Sequence, residues 1–233
     1  MAYRNLVAAG LVSLALTTTA SAADLGQIPM RGGPQVTEFF SMWYLRVDGG
    51  YRFNSISNGV FPSGESSGST LADAGTIGGG LGYKYNWFRA DITVDYGAQP
   101  KYSSNTPIPG QVVTASLATY TALFNGYIDF GTWYGFTPYL GAGIGYSNVK
   151  PSDFNNANAI LFPSTISGDG RWTPSWAVMA GVSYLFSPVW LLDISYRYLD
   201  VGKATSTLWD GTTVQYGDWT AQEIRVGLRY LIP

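Results

Sequence analysis

Alternation of apolar and polar residues is the dominant pattern along the chain, and it predicts β-strands with two unlike faces. In the first such segment, Trp43 and Leu45 share one face, whereas Arg46 and Asp48 share the other. The segments are about ten residues long, which is the length that crosses a bilayer at a tilt. The eight predicted strands are residues 43–53, 76–85, 88–96, 118–130, 138–146, 176–186, 191–198 and 223–232.

The connections between these segments alternate between short turns and long loops. The short turns are Asn86-Trp87, 131–135 and 187–190. The long connections are rich in Ser, Gly, Asn, Thr and Pro and cover residues 54–75, 97–117, 147–175 and 199–222. This arrangement is typical of an outer-membrane barrel with its long loops outside the cell. We therefore predict an all-β fold, an eight-stranded antiparallel up-and-down transmembrane β-barrel with both termini in the periplasm.

A soluble β-sandwich or barrel would also alternate, so the composition of the two faces decides between the alternatives. One face is charged and rich in Gly, whereas the other is apolar with aromatic residues near its ends. Trp87 and Trp190 belong to the short-turn end, and Tyr120 and Trp176 belong to the long-loop end. Two aromatic girdles around an aliphatic band are what two membrane interfaces select. The apolar face is therefore expected to contact lipid.

The first 22 residues predict a secretory signal peptide, followed by a periplasmic lead-in at 23–42 and the barrel at 43–233. Arg4 precedes a short apolar stretch, and Ala20-Ser21-Ala22 is a small-residue cleavage site, so Ala23 should begin the mature chain. A membrane-anchoring helix is the alternative, but the apolar run is too short to span a bilayer. No Cys follows the cleavage site, which excludes a lipoprotein anchor.

The composition removes several classes of function. Thirteen basic and fifteen acidic residues nearly balance, whereas nucleic-acid binding would need a basic excess. The chain has no Cys and no His, the residues most used as thiol nucleophile, general base and metal ligand. We therefore expect no enzymatic activity, catalytic residue, cofactor or metal. The run Gly141–Gly145 superficially resembles a dinucleotide motif, but no helical pattern follows it, which favours small residues facing into a narrow barrel.

Charged residues on the inward face form the main candidate site. Seven basic and six acidic residues belong to this lumen set: Arg46, Arg52, Lys84, Arg89, Arg197, Arg225, Arg229, Asp48, Asp91, Asp95, Asp129, Asp193 and Glu223. An eight-stranded barrel is just wide enough for side chains to fill it, which favours ion pairs that close the lumen. The alternative is a narrow, water-lined path for small ions. We predict a network in which four arginines pair with four acidic residues. The arginines are Arg46, Arg89, Arg197 and Arg225, and the acidic residues are Asp48, Asp91, Asp193 and Glu223.

Several stretches of the predicted strands carry a family resemblance: Trp43–Arg46, Gly49–Tyr51, Thr137–Tyr146, Ala180–Tyr184, Ser195–Asp200 and Arg225–Tyr230. They resemble the small outer-membrane β-barrel (porin) family of alphaproteobacteria, related to the OmpA-type transmembrane domain. The resemblance implies contact with outer-membrane lipid and lipopolysaccharide and insertion by the barrel-assembly machinery; we favour a monomer. Such proteins usually end on an aromatic residue, whereas this chain ends Leu231-Ile232-Pro233, so we expect less efficient recognition by that machinery.

Three functions stay open at this level. The protein is a structural outer-membrane barrel that supports envelope integrity and displays surface loops, a narrow porin for small solutes or ions, or a surface adhesion or host-interaction protein. The apolar run Ala159–Phe162 in the third long loop is either a partner-binding patch or a strand extension over the barrel mouth. Alternation encodes the fold and does not choose a ligand.

Overall fold

A single β-sheet closes on itself to form the wall of the protein. The computed structural model describes residues 41–61, 64–105, 112–157, 169–207 and 213–233. Within these ranges the wall strands are β1 (Ser41–Ile56), β2 (Ala74–Tyr85), β3 (Phe88–Gly97), β4 (Val112–Asp129), β5 (Phe136–Ala157), β6 (Trp172–Ser187), β7 (Trp190–Thr207) and β8 (Thr213–Ile232). Each strand pairs antiparallel with the next, and β8 pairs with β1. The predicted eight-stranded up-and-down barrel is confirmed.

Three tight connections at one end agree with the predicted short turns. Asn86 and Trp87 join β2 to β3, and Asn86 has a φ of 52°, a left-handed conformation that Asn tolerates better than most residues. The connection from β4 to β5 contains Gly131 and Gly135, with φ values of 100° and 85°. Because only Gly adopts such angles without strain, these two positions fix where the chain reverses.

The alternation seen in the sequence corresponds to the two faces of the wall. On β1, the side chains of Trp43, Leu45 and Val47 are about half exposed, whereas Tyr44 and Asp48 are buried inside the barrel. Within the described ranges, no helix is long and apolar enough to cross a membrane. The middle of the wall thus presents an apolar surface outward and a polar one inward, as the sequence predicts.

The long connections are shorter than predicted, because the wall strands continue into them, and four strands do so by six or more residues. Residues predicted as loop form the start of β4, the end of β5, the end of β7 and the start of β8. Further short strands lie at Val60–Phe61, Gly64–Glu65, Ser67–Leu71, Lys101–Asn105 and Asp169–Gly170. β1 also begins at Ser41, inside the predicted lead-in. The predicted loop bounds are therefore wrong at these places.

The strands continue into the predicted loops because the alternation of apolar and polar residues reverses at the long-loop end. At the start of β4, the apolar residues Val113, Ala115 and Leu117 are buried, whereas Thr114 is exposed. Beyond the apolar band the outward face is polar and the inward face is apolar, as in a soluble barrel. Strands predicted from an apolar outward face therefore end before the strands of the structure do.

Two predicted features lie outside the described residues. They are the first 40 residues, which include the signal peptide and nearly all of the lead-in, and the apolar run Ala159–Phe162.

Candidate functional site

Neighbouring strands bring charged residues of the lumen onto common levels of the wall. Glu223 on β8 lies opposite Arg52 on β1 and opposite Arg197 on β7 in the strand register. Residues directly opposite each other in a sheet have their side chains within contact distance. Glu223 is therefore flanked by a basic residue on both sides.

Glu223 is the most enclosed carboxylate of the site, with no exposed surface. Arg52 Nε donates to Glu223 Oε1 at 2.6 Å, and Arg197 Nε donates to Glu223 Oε2 at 2.7 Å. Arg225 Nη1 donates to Glu223 Oε2 at 2.9 Å. Three guanidinium groups thus share one buried carboxylate.

Arg225 and Arg197 join Glu223 to two aspartates on other strands. Arg225 Nη2 donates to Asp95 Oδ1 at 2.6 Å, and Arg197 Nη1 donates to Asp95 Oδ2 at 2.8 Å. Arg225 Nε also donates to Asp48 Oδ1 at 2.6 Å, and its Nη2 contacts the same oxygen. The carboxylate of Asp95 therefore lies between two arginines, and Arg225 binds three acidic residues.

Arg46 extends the chain of ion pairs toward β3. Its Nε donates to Asp48 Oδ2 and its Nη1 donates to Asp91 Oδ2, both at 3.1 Å. The resulting central network has four arginines and four acidic residues and no net charge: Arg46, Arg52, Arg197, Arg225, Asp48, Asp91, Asp95 and Glu223. A charge in such a narrow, buried space is stable only when it is paired.

Neutral side chains add further hydrogen bonds to the central network. Asp91 accepts from Tyr44 Oη at 2.9 Å, from Asn125 Nδ2 at 2.8 Å and from Tyr127 Oη at 3.3 Å. Arg52 Nη1 donates to Thr119 Oγ1 at 2.8 Å. These four partners were not predicted as site residues, although each lies at an inward position of the alternation.

Two smaller groups of ion pairs lie nearer the short turns. Arg89 Nε donates to Asp129 Oδ1 at 2.8 Å, and Lys84 Nζ donates to Asp129 Oδ2 at 3.0 Å. Arg229 Nη2 donates to Asp193 Oδ1 at 2.6 Å. Each of the thirteen residues of the predicted lumen set therefore has an ion-pair partner in the structure.

The partners differ in part from those that the sequence analysis assigned. Arg89 pairs with Asp129 and Asp193 pairs with Arg229, so neither Arg89 nor Asp193 belongs to the central network. Asp95 and Arg52 belong to it instead. The reason is position along the barrel axis. Arg89 and Asp95 share one face of β3, but their separation along the strand puts them in different layers.

Inward glycines provide the space for this packing. A Cβ atom on Gly82 would overlap the ring of Tyr44, and one on Gly143 would overlap the amide of Asn125. Gly141 likewise faces the ring of Tyr127. The glycine run of β5 thus makes room for side chains of the neighbouring strand β4, as predicted.

An apolar layer lies between the central network and the long loops. It consists of buried residues whose main members are Leu71, Tyr102, Val113, Leu117, Leu123, Val149, Leu199, Val201 and Trp219. This layer was not predicted from the sequence. Leu199 follows Arg197 on the inward face of β7, and Trp219 precedes Glu223 on that of β8, so the signal was present in the spacing.

Little free space adjoins the central network. The cavity beside it has a volume of about 10 Å³, room for about one water molecule. In the described residues, no group of three or more acidic side chains is placed to hold a metal ion. The central network is therefore a closely packed part of the barrel interior.

Comparison with known proteins places these observations in a family. A model of the family described as "Outer membrane protein beta-barrel domain" matches residues 9–230. The chain belongs to this family. The outer membrane is therefore its location, and the exposed apolar face of the barrel contacts lipid there.

Relatives in other bacteria cover most of the chain. An uncharacterized protein of Brucella suis is 28% identical over 264 residues, covering 91% of this chain and 93% of that protein. A candidate adhesin of Rickettsia felis is 29% identical over 203 residues, covering 81% and 87%. The crystal structure of neisserial surface protein A has a TM-score of 0.55 and 21% identity, covering 82% of this chain and 97% of that one. The last similarity shows the fold alone.

Proposed function

We propose that this outer-membrane barrel is a structural protein with a closed lumen, which supports the cell envelope and displays surface loops. The observation that carries the proposal is the double closure of the lumen. Buried ion pairs fill the middle, and an apolar layer fills the long-loop end. Side chains that bind one another in this way leave little room for a solute. We propose no enzymatic activity.

A deletion strain tests the structural role. Removal of the gene should increase sensitivity to detergents and bile salts, because the outer membrane loses a closed, tightly packed barrel. Wild-type protein should restore resistance, and so should a variant with residues 158–168 replaced by a short Gly-Ser linker. Unchanged resistance in the deletion strain would contradict this function.

The same proposal includes an orientation. Short turns and both termini lie in the periplasm, the barrel-assembly machinery inserts the chain, and the monomer is the working unit. Since the chain has no Cys, single introduced cysteines report cleanly. Ser67→Cys, which is exposed at the long-loop end, should react with an impermeant maleimide on intact cells. Asn86→Cys, exposed at the short-turn end, should react only after lysis. The reverse labelling pattern would show that the barrel has the opposite orientation in the membrane.

Surface adhesion is a second candidate, supported by two observations. Two Rickettsia relatives are named as candidate adhesins. In addition, β4, β5, β7 and β8 extend beyond the apolar band toward the long loops. These extensions would hold loops away from the membrane surface. Binding of wild-type cells to host cells should then fall when residues 158–168 are replaced by the linker, with detergent resistance unchanged. Equal binding would exclude the third loop as the adhesive part.

A further inference from the structure

A cavity opens at the short-turn end of the barrel, below the central network, and we call it the vestibule. Its volume is about 510 Å³, within the usual range of small-molecule sites. Apolar side chains of Met42, Leu191 and Leu231 form part of its lining. Lys84, Arg229 and the acidic Asp129 also line it. The vestibule is therefore a largely apolar space that contains charged groups of both signs.

The charges around the vestibule do not balance. Lys84 and Arg89 share the single carboxylate of Asp129, whereas Arg229 pairs with Asp193. Three basic and two acidic residues leave one positive charge here, and the central network is neutral. The whole lumen set, with seven basic and six acidic residues, carries the same excess of one. A poorly hydrated excess charge favours binding of a counter-ion.

Arg229 offers a hydrogen-bond donor that no described side chain uses. Its Nη2 binds Asp193 and Ser183, but its buried Nε has no hydrogen-bond partner among the described residues. The Arg229 side chain is only 4% exposed. Leaving a charged donor unpaired in a buried place is costly. Arg52, Arg89 and Arg197 also have buried nitrogens without a hydrogen-bond partner among the described residues, but of these four arginines only Arg229 lines the vestibule. Lys84, at 27% exposure, remains reachable from the opening.

We propose that the vestibule binds a small amphiphile with one anionic group, such as a carboxylate on an aromatic or hydrocarbon body. The carboxylate accepts hydrogen bonds from Arg229 and Lys84 and neutralises the excess charge. The apolar body lies against Leu191 and Leu231. This site goes beyond the proposed function, because a closed structural barrel does not need a ligand at its short-turn end.

Three matched probes test the charge requirement: 2-naphthoate, 2-naphthylmethanol and 2-naphthylmethylammonium. Isothermal titration calorimetry on the full mature protein in nanodiscs, with empty nanodiscs subtracted, measures binding. Naphthoate should bind at one saturable site, with the alcohol and the ammonium at least roughly tenfold weaker. Equal binding of the three probes, or no binding above empty nanodiscs, would overturn the proposal.

Two substitutions with opposite expected effects locate the site. Lys84→Gln should raise the Kd for naphthoate roughly tenfold, whereas Lys203→Gln, exposed on β7 at the long-loop end, should leave the Kd unchanged. Asp129→Asn frees Lys84 and Arg89 from their shared carboxylate and should lower the Kd.

Misfolding does not mimic tighter binding, and a shift in gel migration on boiling verifies the fold of each variant. An unchanged Kd for Lys84→Gln, or weaker binding by folded Asp129→Asn, would refute the site. Ion conduction by the wild-type protein would contradict the proposed function and leave this result standing.

Discussion

The membrane band and the long-loop end of this barrel use the same strands with opposite faces. In the band, Leu45 and Val47 point outward and Asp48 is buried inside. At the long-loop end, Val113 and Leu117 are buried inside while Thr114 is exposed. The first arrangement suits a lipid solvent and the second suits water. The barrel thus encloses two kinds of interior, an ionic one within the membrane band and an apolar one at the long-loop end.

The two interiors should respond differently to substitution. An apolar core loses stability roughly in proportion to the volume removed, and it tolerates swaps that conserve volume. A buried network of ion pairs depends on each partner, because removal of one leaves an uncompensated charge. Substitutions in each of the two interiors therefore test this contrast.

Glu223→Gln should have the largest effect. It leaves Arg52, Arg197 and Arg225 around a neutral amide, and we expect a loss of about 3 to 5 kcal/mol in the free energy of unfolding. Urea unfolding in lipid vesicles measures this, with Glu65→Gln, an exposed acid at the long-loop end, as the control. A second substitution, Arg52→Gln, should recover part of the loss. A cost no larger than that of the control would mean that the network is well hydrated.

Leu199→Ala tests the apolar interior. Leu199 is fully buried, and the cavity left by truncation should cost about 3 kcal/mol. Leu199→Met conserves most of the volume and should cost less than about 1.5 kcal/mol. The same urea titration compares the two variants. If Met is as damaging as Ala, the layer is not an ordinary hydrophobic core.

Gly82→Ala tests the packing of the lumen against its wall. The added methyl group meets the ring of Tyr44 and the backbone oxygen of Ala90, and overpacking of this kind costs about 1 to 3 kcal/mol. Gly126→Ala is the matched control, because a Cβ there meets nothing within 4 Å. Thermal unfolding of both variants checks the prediction, and equal stability would show that the lumen is looser than the structure indicates.

Lys84→Gln should have the smallest effect on stability. The ammonium is partly exposed and Asp129 keeps its bond to Arg89, so we expect a loss below about 1 kcal/mol. Urea unfolding beside Glu223→Gln gives the comparison. Similar losses for the two variants would remove the distinction between the rim and the central network.

Sequence alone predicted much of this structure for a simple physical reason. The two faces of a membrane strand differ strongly in polarity. Alternation therefore reveals where a strand lies, which of its faces points inward and which charges lie on that face, as at Arg46 and Asp48. Gly141, which faces Tyr127, was also predicted as a space-making residue. Short turns followed because Asn86 and the glycines after β4 interrupt the alternation.

Two features could not be obtained from alternation. The partners of Arg89 and Asp95 depend on the stagger between strands, which a single strand does not encode. The apolar layer was missed because the alternation reverses its sense where the wall leaves the lipid. Leu199 and Trp219 follow the spacing of Arg197 and Glu223, but their polarity is opposite.

The central claim is that paired and packed side chains close the lumen. Conductance of the refolded wild-type protein in a planar lipid bilayer, at low and high salt, tests it most directly. The barrel should insert without discrete current steps, because the space beside the central network holds about one water molecule. Reproducible single-channel steps that change in ion selectivity with Glu223→Gln would contradict the account and make the protein a narrow porin.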